Sequence, residues 1–393
     1  MESSRTKVLV VLEACLGGTR RHVVDLISGL GDRCEVTLVY SMHRADTGWA
    51  AFIEDLEREG RVRLICVNSM RRNLHPMHDL IAALRLLRVA LSERYDVVHL
   101  HSGKAGLLGR LILPWYRRRT VYTPNASPAL LNPVFATIER LLSRSLNAAV
   151  ICVSPSEKDE LMSLGIVKSS NAVVINSGVN IPSLASVVQP SAARYDVIGV
   201  GRITAQKNWQ NFVRAIAALK ESYPTLQVVW VGDGEERAEM ESLISGLGLS
   251  NTLQVVGWVN DVTPYYRQTR CLFLSSSYES FGYVTAEAMS YGIPVCGTNT
   301  AGTRDLIVDG ETGFLVSLDN SQAAAEALGR LLADSVLWNQ MSRAARERVI
   351  KHFEVGTMCD QVYNLYRYLS RKGADFEAQS FGDHNIVQLE SAD

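Results

Sequence analysis

Residues 271–297 read CLFLSSSYESFGYVTAEAMSYGIPVCG. A short apolar run, Cys271–Ser275, leads through a polar turn into a helical segment from Val284 to Tyr291, and a second apolar run follows at Pro294–Gly297. Two such runs joined by a helix make a βαβ unit, and strands of a parallel sheet covered on both faces are expected to be this continuously apolar. The turn inside the unit holds Glu279, Phe281 and Gly282, and Glu287 falls one turn into the helix.

Outward from this unit the pattern repeats. Further strand-like runs lie at 196–200, 226–231, 253–256 and 313–316, with helices expected at 209–221, 235–247, 321–333 and 335–351. Upstream, seven more runs lie at 7–12, 35–40, 63–67, 96–101, 120–123, 148–153 and 172–175. Helical segments separate them; in Met77–Glu93, Leu80, Leu84, Leu87 and Leu91 recur at three- and four-residue steps, the spacing of an amphipathic helix. The expected fold class is α/β, with two Rossmann-like doubly wound parallel-sheet domains facing across a cleft. Ser183–Arg194 reads as a linker, so domains are expected at 1–182 and 183–356, followed by a helix at 357–371 and a mobile tail at 372–393. A site shared by two linked domains implies closure on binding.

Composition narrows the function classes. With 393 residues, 47% apolar and 21% charged, the chain is too long for one ordinary core and too apolar for disorder. The formal charge of −1 conceals an asymmetry, +6 over residues 1–182 and −7 over 183–393. A cationic first half points to an anionic membrane surface or a phosphorylated acceptor, or is an uneven spread of solvated charge; nothing marks a nucleic-acid binder. Seven scattered cysteines without a C-x-x-C pair fit buried thiols in a reducing, cytoplasmic setting. No run of about 18 apolar residues is present, and the start shows no cleavage-site pattern, so neither a span nor a leader is expected. The stretch RLILPWYRRR, Arg110–Arg119, offers attachment to the inner face of an anionic membrane, or is a plain basic loop.

Candidate site residues sit where strands end. Gly17-Gly18 follow the first strand, where glycines let a ligand approach the backbone and a helix start presents free N–H groups. His99 and His101 share one face of a strand near its carboxyl end; a metal held by this pair would lack a third ligand, and a lone strand histidine is commonly structural. Arg202 and Lys207, after Gly199-x-Gly201, suit a diphosphate, one as a bidentate fork and the other as a point charge, or form a helix-start salt bridge. Gly232-Asp233-Gly234-Glu235 and Gly257-Trp258-Val259 line a nucleotide pocket or are ordinary turns. Glu287 can accept both ribose hydroxyls and Glu279 those of a sugar, while the amides of Gly282, Tyr283 and Val284 face phosphates; singly, each carboxylate also reads as a solvated charge.

Taken in this order, Gly17-Gly18, His99-x-His101, Gly201-Arg202 with Lys207-Asn208, Gly232-Asp233-Gly234, and Glu279 with Glu287 resemble the retaining, nucleotide-sugar-dependent glycosyltransferases of family 4 with the GT-B fold, over residues 7–370. The resemblance implies that Arg202 and Lys207 hold the donor diphosphate, Glu287 the ribose and Glu279 the transferred sugar. It also implies that Gly17, Gly18, Gly232, Trp258, Val259, Phe281, Gly282, Tyr283 and Val284 line the donor site. His101 would stand beside the anomeric carbon or a sugar hydroxyl, with His99, Lys104 and Asn125 on the acceptor side. No cofactor and no metal are implied, and the last helix would cross back to the first domain. The run HLHSGKAGLLGR is similar to that of bacterial enzymes building polysaccharide on lipid carriers. Asn125 stands where many relatives have His-Gly, and Ala301-Gly302-Thr303-Arg304-Asp305 replaces a Gly-Gly…Glu pattern.

The expected activity is therefore retaining transfer of a hexosyl or N-acetylhexosaminyl group from a nucleotide sugar, UDP-linked by preference, to a glycan or polyprenyl-diphosphate-linked acceptor. The alternatives are a sugar-nucleotide epimerase of the same shape, a glycoside hydrolase using Glu279 and Glu287, and a non-catalytic scaffold of polysaccharide assembly.

Overall fold

The computed structural model describes residues 5–125, 133–188, 193–372 and Ala378. The chain divides into two compact units, Met1–Ser177 with Val355–Asp393, and Gly178–Glu354. The division precedes the Ser183–Arg194 stretch, whose described part belongs to the second unit: Val188 N–H donates to Tyr291 O. The tail beyond Lys372 lies, apart from Ala378, outside the described residues.

The first unit is a seven-stranded parallel sheet of β1 (Thr6–Leu12), β2 (Cys34–Tyr40), β3 (Val62–Cys66), β4 (Val97–His101), β5 (Thr120–Thr123), β6 (Ala149–Cys152) and β7 (Ala172–Val174), in the order β3-β2-β1-β4-β5-β6-β7. Its central run needs apolar residues on both sides. Val8, Val10 and Leu12 enter one core, with Leu26 and Tyr366, while Leu9 and Val11 enter the other, with Leu86 and Leu108. The helix Val355–Lys372 packs on the helix Gly17–Leu30, and Gly29 is required there because a Cβ would strike Cys359 Sγ.

The second unit is a six-stranded sheet of β8 (Tyr195–Val200), β9 (Val228–Val231), β10 (Leu253–Gly257), β11 (Thr269–Leu274), β12 (Val295–Thr298) and β13 (Gly313–Val316), ordered β10-β9-β8-β11-β12-β13. Strand order reverses between β1 and β4 in one unit and between β8 and β11 in the other, and open parallel sheets bind ligands at the carboxyl ends beside such a reversal. Gly17, Gly201 and the Ser275–Gly282 loop follow β1, β8 and β11, and His101 is the last residue of β4.

Two surface readings change. In the helix Pro76–Ser92, Leu80, Leu84 and Leu91 of the leucine row face outward and Leu87 is half-buried; the buried row is Ala82, Leu86, Val89 and Ala90, on the opposite side. Arg110, read as part of a basic attachment loop, is buried: its guanidinium donates to both Glu139 oxygens at 2.8 Å, to Ser143 Oγ and to Gly106 O, and lies 4.0 Å over the Tyr122 ring. A buried guanidinium is tolerated because nearly every donor has a partner. Tyr116 of the same stretch is buried too, whereas Trp115, Arg117 and Arg118 are exposed.

Candidate active site

In the second unit the site grows from close backbone packing at the ends of β8, β9 and β11. Gly201 has φ 148° and lets the Lys207 stem cross it, Lys207 Cε lying 3.1 Å from where a Cβ would stand. At Gly232, φ is 139° and a Cβ would collide with Gly201 O; at Gly234 one would collide with Ile203 O. These glycines are therefore demanded by chain-against-chain approach.

The turn Ala205–Lys207 is held on two sides. Glu236 accepts from Ala205 N–H at 3.0 Å and from Trp209 Nε1–H at 2.6 Å. Against the β11 loop, Ser277 N–H donates to Gln206 O, Gln206 Nε2–H to Tyr278 O, and Ser275 Oγ–H to Lys207 O. That stitching brings Lys207 Nζ to 2.5 Å from Glu279 Oε1, with the two side chains only 18% and 13% exposed. Gly302 braces the same loop: its N–H donates to Glu279 O at 2.9 Å, and a Cβ would strike Glu279 O. The Ala301-Gly302 departure noted in the sequence thus keeps the glycine that the packing needs.

Arg202, next to Gly201, is exposed and makes no ion pair or hydrogen bond among the described residues. Phe281 is buried against Tyr283 and Phe353, and Gly282, at φ 95°, turns the chain into the helix Tyr283–Ser290. Thr285 and Ala286 N–H both donate to Gly282 O, so the amides of Tyr283 and Val284 come before the first intrahelical acceptor. Such a helix start favours an anion. Glu287 is half-buried, and its Oε2 accepts from Tyr266 OH at 3.2 Å. Trp258 and Val259 follow β10, with the indole about half exposed.

In the first unit Gly17, at φ 59°, and Gly18 are exposed at the start of their helix, whose Arg20 N–H bonds Leu16 O. The period-two reading of the histidines holds: the His99 and His101 rings are 3.9 Å apart. Their roles separate, however. His99 has both nitrogens engaged, by Tyr366 OH at 2.5 Å and Thr123 Oγ1 at 2.7 Å, so it is a buried structural residue. His101 Nδ1 lies 3.4 Å from Asn125 Nδ2, and its Nε2 has no partner. Burial, reinforced by His99 and then His22, pushes His101 well below the ordinary imidazole value and keeps it neutral.

Two neighbours of His101 were not read from the sequence. The His22 ring is 5.5 Å away, wholly buried, bonded through Nδ1 to Ser177 Oγ and unpartnered at Nε2. Ser102, at φ 70°, has a buried, unpartnered hydroxyl, and Asn125 is also left-handed at φ 58°. Strained non-glycine residues at adjacent strand ends are a common mark of a functional site. Only the strand-end position of β4 signalled this cluster; a lone histidine in the first helix carries no signal of its own. Lys104, expected on the acceptor side, is instead buried and consumed by Asp79 at 2.7 Å and Asn73 O. Among the described residues no group of three or more His, Cys, Asp or Glu side chains is arranged to hold a metal.

Two parallel α/β units with glycine-turned strand ends and a cationic turn beside β8 are the parts of a GT-B glycosyltransferase. Two family models match in tandem, Glycosyltransferase Family 4 over residues 16–182 and Glycosyl transferases group 1 over residues 187–348, and the chain belongs to the family 4 glycosyltransferases. It is similar to the lipopolysaccharide core biosynthesis glycosyltransferase LpsE of Rhizobium meliloti, at 25% identity over 89% of this chain and 95% of that one. It is also similar to the UDP-Gal:alpha-D-GlcNAc-diphosphoundecaprenol alpha-1,3-galactosyltransferase of Escherichia coli, at 26% identity over 78% of this chain and 84% of that one. Among solved structures, Anabaena HepE in complex with UDP-glucose shares the fold, with a TM-score of 0.77 at 22% identity, covering 93% of this chain and 100% of that one.

Proposed function

We propose that the protein is a retaining glycosyltransferase that moves a hexosyl or N-acetylhexosaminyl group from a UDP-sugar to a hydroxyl of a glycan or polyprenyl-diphosphate-linked acceptor, in polysaccharide or lipopolysaccharide assembly. The observation that carries this reading is the Lys207–Glu279 pair, pinned at the carboxyl ends of β8 and β11, with uncommitted Arg202 in the same connection after β8. The names of the Rhizobium and Escherichia coli relatives support the biosynthetic setting, and the latter's UDP-Gal donor supports uridine.

In this reading the diphosphate binds Arg202, Lys207 and the amides before the helix Tyr283–Ser290, Glu287 accepts from the ribose hydroxyls, and Glu279 from the sugar. The bond between the anomeric carbon and the diphosphate oxygen breaks with its electron pair leaving on phosphate, where fixed cations and N–H dipoles stabilise it. The acceptor oxygen bonds to the anomeric carbon on the same face, and its proton passes to the departing phosphate oxygen. The chain contains no Asp-x-Asp, and in this reading the donor charge is met by side chains and amides without a metal.

Incubation with a panel of nucleotide sugars and acceptors tests the proposal. UDP release that depends on acceptor, yields a product of unchanged anomeric configuration and persists in EDTA is the expected result. Isomerised donor without acceptor would mark an epimerase, free sugar released from a glycan without nucleotide a hydrolase, and no donor binding in calorimetry a scaffold. Turnover abolished by EDTA and restored by manganese would overturn the metal-free part.

A further inference from the structure

The helix Pro76–Ser92 is apolar on two opposite sides. One side is in the core; on the other, Met77, Leu80, Leu84 and Leu91 are 57% to 69% exposed. At 3.6 residues per turn these four fall within about 60° of arc, directly away from the buried row. Arg88 and then Arg85, both exposed, follow along one flank. The helix has a single acidic residue, Asp79, which is consumed by buried Lys104. Its outer surface is thus a leucine ridge edged by uncompensated cations.

A second apolar and basic patch is tied to the end of the helix. Tyr95 N–H, just beyond the helix end, donates to Tyr116 OH at 3.2 Å, which ties that end to the turn Pro114–Arg119. There Leu111 and Trp115 are 55% and 54% exposed, beside exposed Arg117 and Arg118. Contiguous large apolar surface is rare on a folded domain unless something covers it.

We propose that this face docks the protein on a bilayer surface carrying anionic lipid headgroups. The leucine ridge enters the acyl boundary, the Trp115 indole lies at headgroup level, and Arg85, Arg88 and Arg117 pair with lipid phosphates. Among the described residues no helix is long and apolar enough to cross a membrane, so the helix lies along the surface. Charge complementarity selects this occupant over a second copy of the chain, whose own arginines would face these across the contact.

The test is flotation of the full chain with vesicles of phosphatidylcholine alone or mixed with phosphatidylglycerol. Binding is expected only to the anionic vesicles, and should weaken about fivefold for each arginine changed in Arg85→Gln or Arg88→Gln. It should weaken more than about tenfold in Leu80→Ser/Leu84→Ser. Because these side chains are exposed, the thermal midpoint and UDP binding in vesicle-free solution should be unchanged, which separates failure here from failure of the donor reading. Equal binding to both vesicle types, no binding to either, or a concentration-dependent dimer abolished by Leu84→Ser would overturn the proposal.

Discussion

Replacing Lys207 with Met tests whether the Lys207–Glu279 pair serves the donor or merely the fold. Nζ and Oε1 are 2.5 Å apart and both side chains are over four-fifths buried, so the substitution strands a carboxylate. Breaking a buried pair costs about 3–5 kcal/mol, and partial exposure places this one near the lower figure. In a unit of this size that lowers the thermal midpoint by about 6–12 °C. Loss of a charge-assisted contact to the diphosphate costs about 1.5–3 kcal/mol, a weakening of UDP binding of about 10- to 150-fold. The two effects separate in Lys207→Met/Glu279→Gln, which removes both charges. Thermal stability should return, because nothing charged is left unpaired, while UDP affinity in calorimetry should stay low. If the double variant regains affinity along with stability, or if Lys207→Met binds UDP as the wild type does, Lys207 is a structural lysine and the diphosphate grip proposed here is wrong.

Glu287→Ala should weaken UDP by about tenfold or more while leaving binding of inorganic pyrophosphate unaffected, as calorimetry with the two ligands will show. Burial pushes the Glu157 carboxyl, which accepts from Val153 N–H, up to about 8. The folded state then holds a proton that the unfolded state releases above about 4.5, so stability falls as pH rises through that window and levels off above 8. Glu157→Gln should therefore match the wild type near pH 4.5 and exceed it by on the order of 4 kcal/mol at pH 8.5 in denaturant melts. His22 has the opposite sign: burial lowers it to about 4, so its contribution is intact above about 6.5 and is lost as pH falls from there toward 4. His22→Gln should flatten that acid limb of the thermal midpoint, and an unchanged limb would assign it to His99 and His101.

The thirteen strands of the described residues could be read from the chain because a parallel sheet covered on both faces writes itself as short unbroken apolar runs, such as Val8–Leu12 and Cys271–Leu274. Helix orientation could not. In Pro76–Ser92 the larger leucines form the more conspicuous row, yet the smaller set of Ala82, Leu86, Val89 and Ala90 fits against the sheet. Periodicity gives an apolar stripe but not what covers it. Partnerships across sequence were equally hidden. Arg110 finds Glu139, Lys104 finds Asp79, and Lys207 finds Glu279 only after the sheet has brought distant loops together. Glycine positions were legible as turns, but the reason for Gly232, Gly234 and Gly302, a neighbouring backbone where a Cβ would stand, was not.

The histidine cluster bears on where the acceptor's proton goes. Asn125 Nδ2 also donates to Thr123 O at 3.3 Å, which fixes the amide with its N–H groups toward His101 Nδ1. A nitrogen facing a donor must accept, so the neutral His101 carries its proton on Nε2. The free atom of this residue is therefore a hydrogen-bond donor. His99 cannot take the proton instead, since Tyr366 and Thr123 occupy both its nitrogens, and burial holds the two rings and His22 against becoming charged. A site that keeps its imidazoles neutral and presents N–H is suited to orienting a hydroxyl oxygen and ill suited to general-base work. In the transfer proposed above, deprotonation of the acceptor then falls to the departing phosphate, the group that gains negative charge as the bond to the anomeric carbon breaks.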